Sequence, residues 1–207
     1  MRLIYLLEDQ HKEESLKAYL FYLEINIMFF RSLLSLLSDE LDNSAFNQTE
    51  RKAMTELEVA AFLTPVTKVL LPALRLYSTW FKKNWVYLTA RMAESTLSSQ
   101  ISELWCIYAR VLSLLASLYP KKHVPDVDYM LEEEVDIIGF IPLFPDKMIE
   151  MSRNETAQRA KFSDKGVERL SPDIEMLSRI RELIVDGVQI SNESVGILIL
   201  NIVTNSS

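Results

Sequence analysis

Cysteine is nearly absent from this chain, and so are histidine and glycine. Cys106 stands alone, so no intrachain disulfide and no cysteine-based zinc site can form. A reducing compartment, nucleus or cytosol, suits such a chain. His11 and His123 are the only histidines. No serine sits in a G-x-S-x-G elbow and no His/Asp pairing is apparent, so hydrolase chemistry is not expected. Four glycines in 207 residues, against a usual share of roughly 7%, leave few tight turns and favour helices over hairpins. Basic charge is also short: 22 Lys and Arg against 29 Asp and Glu give a net charge of −7. Phosphate neutralisation normally demands the reverse balance, which argues against a strongly nucleic-acid-binding surface without excluding a local patch. Long uninterrupted apolar runs are missing too. Residues 16–37 are greasy over a spanning length but are broken by Lys17, Glu24, Asn26 and Arg31, which reads as a buried helix and no membrane contact.

What the chain does hold is a 49% hydrophobic share arranged at helical spacing. Leu16, Leu20, Leu23, Ile27, Phe30, Leu34 and Leu37 predict a helix over 13–37. Tyr19, Phe21, Tyr22, Ile25, Met28 and Phe29 widen its apolar surface enough to place it inside an array. After a polar linker, a second helical region spans 49–81 with Thr49 as its cap. Pro65 opens a new helix after a break at Thr64, and Pro72 kinks it or sits near its start. Residues 85–91 are ambiguous. A third helix covers 95–118 and ends at Pro120, with Cys106 in its core face. Residues 146–162 read as a short helix and a charged loop. Ser171, Pro172 and Asp173 start the last helix, whose buried face is Ile174, Leu177, Ile180, Ile184 and Val188, and Gly187 marks its end. No period of about 33 to 45 residues recurs.

Between the third and last helices lies DYMLEEEVDIIGFIPLF, residues 128–144. Pro142 and Pro145 forbid a continuous helix there. The expectation is an extended connector, apolar from Val135 to Phe144 and laid between helices, with Glu132, Glu133 and Glu134 as a solvated acidic lip. A metal site is disfavoured because consecutive carboxylates point in different directions. The best aromatic-plus-basic cluster is Trp80, Trp85 and Tyr87 beside Lys82, Lys83 and Arg91, the mixture that holds single-stranded nucleic acid. Trp80 also lies on an apolar stripe, where packing is the plainer job.

Three segments occur in an order that resembles one family: LLPALRLYSTWFKKN (70–84), YMLEEEVDIIGFIPL (129–143) and SPDIEMLSRIRELIVDGVQIS (171–191). They look like the helical-hairpin, DNA/RNA-binding region of the family that unites the ever-shorter-telomeres telomerase subunit with the SMG adaptors of nonsense-mediated mRNA decay, and are fungal in flavour. The middle segment resembles its hallmark through Leu131, Glu132, Glu133 and Glu134, then Gly139, Phe140, Pro142 and Leu143. The last resembles its Arg-Ile, Leu-x-Asp helix through Arg179, Ile180, Leu183 and Asp186. The likeness covers roughly residues 60–191. None of the phosphopeptide-binding residues of the 14-3-3-like domain that relatives place earlier is carried over, nor the acidic ligands of the nuclease domain found in some.

The expected architecture is therefore all-α: stacked helical hairpins with the apolar connector between them. Its parts are an N-terminal helix and linker (1–48), a hairpin domain (49–191) and a tail (192–207). The resemblance implies a non-catalytic scaffold or adaptor without cofactor, in nucleus or cytoplasm, meeting protein partners of an mRNA-decay or telomerase complex. The alternative it implies is direct binding of single-stranded RNA or DNA.

Overall fold

In a computed structural model, described for residues 12–43, 54–90, 95–138 and 160–204, the chain is mainly helical. The α-helices among these residues are α1 (Lys12–Asn43), α2 (Glu56–Ala60), α3 (Pro65–Ala90), α4 (Ser95–Leu118), α5 (Glu132–Asp136) and α6 (Pro172–Thr204). Two two-residue strands, β1 (Tyr129–Met130) and β2 (Ala160–Lys161), pair in parallel with Tyr129 opposite Ala160. The all-α expectation holds, and helix packing builds the body.

One core runs through α1, α3, α4 and α6. Ile27, Phe30, Leu34 and Leu37 come from α1, Leu71, Leu74 and Phe81 from α3, Ile101, Leu104 and Tyr108 from α4, and Leu177 and Ile180 from α6. Aromatic rings fill its middle: Phe81 meets Tyr108 edge-on at 5.7 Å between centroids and Trp85 at 5.3 Å. Polar pairs fix the direction of the helices. Asn26 faces Tyr77 and Glu40 faces Thr64, so α1 and α3 are antiparallel. A smaller cluster of Val127, Tyr129 and Leu131 under Phe162, Val167 and Leu170 covers the start of α6.

Several boundaries differ from the sequence reading. Thr49 lies outside the described residues; the capping box there is Thr55 with Glu58, whose carboxylate accepts from the Thr55 amide at 2.7 Å. The Thr64 hydroxyl accepts from the Thr67 amide, so the break before Pro65 is a genuine cap. Helix α3 then continues past Phe81 to Ala90, which places Lys82 and Lys83 mid-helix rather than at a terminus. Residues 146–159 lie outside the described set. Cys106, expected in the core, is exposed on α4.

Gly187 does not end α6. The helix runs on to Thr204, and Gly187 is buried where Leu112 of α4 presses against it; a Cβ there would collide with Leu112 Cδ1. The glycine is a close-packing contact, not a terminator. The face of α6 is also turned. Leu183 and Ile190 are buried, whereas Val188 is exposed, because Glu175, Arg179 and Asp186 are taken inside.

Helix α1 is the other correction. Its inner seam is buried, yet Phe21, Tyr22, Ile25, Met28, Phe29 and Leu36 are exposed, Phe21 at 59%. Among the described residues it is the rim of the stack, because no further element covers its outer side.

Candidate functional site

The three segments that carry the family likeness converge on one buried cluster of charge. Arg75 comes from α3, Glu133 and Glu134 from α5, and Arg179 from α6. Arg179 donates to both oxygens of Glu133, Nη2 to Oε2 at 2.6 Å and Nε to Oε1 at 3.0 Å. Arg75 reaches Glu133 at 3.2 Å and Glu134 at 2.7 Å. Two cations thus meet two carboxylates, which is the condition for burying them at tolerable cost. Burial works against the Arg75 charge, but Glu134 and then Glu133 outweigh it and hold the guanidinium above its ordinary value. Glu134 also turns back to accept from the Leu131 amide at 2.8 Å, closing the single turn of α5.

The acidic run is consequently not a solvated lip. Glu133 is 8% exposed and Leu131 is fully buried; only Glu132 of the three glutamates faces water. The connector is also less extended and less covered than expected. Val135 belongs to α5, and Ile138 is 44% exposed. The tripeptide of glutamates forms a helical turn because its carboxylates have arginines to meet, a partner invisible in the local pattern. Gly139, Phe140, Pro142 and Leu143 lie outside the described residues.

A second polar knot joins α3, α4 and α6. Ser78 donates to Asp186 at 3.1 Å, and its hydroxyl lies 2.7 Å from that of Tyr108, which donates to the Leu183 carbonyl. Lys82 pairs with the same Asp186. A third knot anchors the start of α6. Glu175, fully buried, takes two bonds from Arg169 at 2.7 and 2.9 Å and one from the Tyr129 hydroxyl at 2.9 Å.

These knots account for the aromatic-plus-basic patch. Trp80 and Trp85 are core residues, 8% and 4% exposed, and Trp85 packs on Trp105 at 5.1 Å. Their rings are covered, so neither offers a face on which a base could stack. Lys82 is held by Asp186. Lys83 is exposed, yet partial loss of its water by neighbouring atoms, and then the charge of Lys82, lower its pKa, with Asp186 pulling the other way. Tyr87's side chain and Arg91 fall outside the described set.

The exposed aromatics are elsewhere, on α1. Phe21, Tyr22, Ile25, Met28 and Phe29 form a continuous apolar stripe, and the Phe29 ring touches Tyr77 of α3 at 5.6 Å. The stripe ends in an acidic last turn containing Asp39, Glu40 and Asp42 and no basic residue. Carboxylates at the negative end of a helix are disfavoured, by about 0.3–1 kcal/mol each. Arg110 offsets Asp42 at 2.6 Å and Thr64 donates to Glu40 at 2.9 Å, while Asp39 has no partner among the described residues. No sequence signal separated this face from the inner one, since both are apolar.

The Est1 DNA/RNA binding domain family matches residues 1–147. This chain belongs to it. The matched stretch of the Est1 domain takes in α1, so it begins earlier than the motifs suggest, and holds the first two likeness segments. The third, residues 171–191, lies beyond it, though Arg179 and Asp186 bind it to the other two. No curated protein and no solved structure matches the chain. Among the described residues no group of three or more His, Cys, Asp or Glu side chains is placed to hold a metal ion. By length and composition α1 and α4 could each cross a membrane. The outer face of α4 carries Ser99, Ser102, Glu103 and Arg110, which a bilayer would not accept.

Proposed function

We propose that this Est1-family domain is a non-catalytic scaffold that works through protein contacts in telomerase regulation or nonsense-mediated mRNA decay, and that it acts in the nucleus. The observation that supports this most is the division of its aromatics. Trp80 and Trp85, which could have stacked on bases, are buried, and the exposed rings among the described residues form an apolar stripe of the kind that receives protein. The buried ion pairs are structural: Arg75 and Arg179 are each spent on a carboxylate. Affinity purification of the tagged chain from nuclei tests the reading; recovery of neither telomerase nor decay factors would count against it.

Direct binding of single-stranded RNA or DNA is the second reading, favoured by the description of the family itself. It predicts binding of a single-stranded oligonucleotide that weakens with salt. Absence of binding even at low salt removes it.

A further inference from the structure

We propose that the outer face of α1 is a docking seam for an amphipathic helix of a partner protein, one carrying lysine or arginine at the end that meets Asp39. The inference deepens the scaffold reading and rests on it. Tyr22, Ile25, Phe29, Ser32, Leu36 and Asp39 succeed one another at alternating spacings of three and four, the period of a helix–helix seam. From Tyr22 to Leu36 the seam is about 21 Å long at helical rise. On the opposite side Leu23, Ile27, Phe30, Leu34 and Leu37 form the seam already filled by α3 and α4. A helix with two apolar seams belongs between two helical layers, and only one is present among the described residues.

Charge selects the occupant. The seam ends at an acidic last turn where Asp39 is unmet among the described residues, at the end of the helix that attracts cations. Among the described side chains of α1 a second copy offers no free cation: Arg31, the one basic residue among them, is held by Glu103 of α4. Parallel pairing of two copies would set Asp39 against Asp39. A nucleic acid or an anionic membrane would meet an apolar stripe with an acidic end and, among the described side chains of α1, no free cation to neutralise it.

The test uses two labelled helical peptides of about three heptads with leucines along one seam. One carries lysines at one end and the other glutamates. Fluorescence anisotropy with the full chain, at about 0.1 M salt, should show the lysine peptide binding at least about tenfold more tightly. Ile25→Glu with Leu36→Glu should abolish binding while leaving the circular dichroism and urea midpoint unchanged, since both side chains are exposed. Asp39→Lys should reverse the preference for lysine over glutamate. Failure of both peptides to bind, or equal binding of the two, overturns the proposal. So does a wild-type dimer in light scattering that the double variant makes monomeric, or binding of phosphatidylserine vesicles lost in that variant. The scaffold reading is judged separately by nuclear purification: peptide binding without telomerase or decay factors keeps the seam and sinks that reading, and the converse sinks only the seam.

Discussion

Arg179 and Glu133 lie 46 residues apart and meet as a two-bond ion pair closed off from water, the guanidinium fork matching both carboxylate oxygens. Arg75 of α3 completes the arrangement on the other flank. Because the pair ties α5 to α6 and α3 at once, it fixes, together with the Glu134 bond to the Leu131 amide, a one-turn helix whose five residues are far too few for autonomous helicity.

Removing one partner should therefore cost more than any surface change. Glu133→Gln leaves Arg179 buried with no compensating charge, and the expected loss is about 3–5 kcal/mol in urea unfolding. Replacing Glu133 and Arg179 together by leucine should cost clearly less than the single change, since no orphaned charge remains. A Glu133→Gln loss below about 1 kcal/mol would mean the pair is solvated and worth little.

Gly187→Ala should destabilise by about 1–3 kcal/mol through overpacking, because the added methyl enters the space of Leu112. Shortening the neighbour with Leu112→Ala should recover part of that loss, so the two changes would be non-additive in a thermal-melt cycle. Full additivity would place the cost of the alanine elsewhere.

The helical body was legible because burial on one side of a helix writes a 3.6-residue period into the sequence. Helix α4 matches its expected span of 95–118, and Ser171-Pro172 marks the start of α6 as read. Legibility failed where the deciding partner was distant. Gly187 has the look of a terminator, and only the approach of Leu112 shows otherwise. Glu133 looks like a surface acid until Arg75 and Arg179 are brought to it from 58 and 46 residues away. The same holds for Trp80 and Trp85, whose neighbours in sequence are lysines but whose neighbours in space are core rings. For α1, periodicity identified a helix with too much apolar surface, and could not say that half of it would stay open.

The lysines beside those tryptophans separate structure from binding. Lys82→Glu would place an acid against buried Asp186, and should cost about 3 kcal/mol. Lys83→Glu, at the surface, should change stability by only about 0.5 kcal/mol. An oligonucleotide assay on Lys83→Glu thus reads electrostatics on a folded protein, whereas loss of binding in Lys82→Glu alone would report unfolding. Equal stability of the two variants in urea would show that Lys82 does not hold Asp186.

Alkaline pH should expose the polar knot around Tyr108. Burial, with the nearby Asp186 charge adding to it, pushes the Tyr108 phenol well above its ordinary value, although its bond with Ser78 pulls the other way. Tyr77 and Tyr129 are raised as well, each mainly by burial. A phenol that holds its proton more tightly when folded contributes stability that is intact below the unfolded value of about 10. That contribution drains away as pH climbs from there toward the folded value, because the unfolded chain gives up the proton first. Urea midpoints should accordingly be flat across neutral pH and fall above about pH 10. Tyr108→Phe should make the fall shallower, with the phenols of Tyr77 and Tyr129 supplying what slope is left. An unchanged slope in Tyr108→Phe would mean that the hydroxyl between Ser78 and the Leu183 carbonyl is open to water.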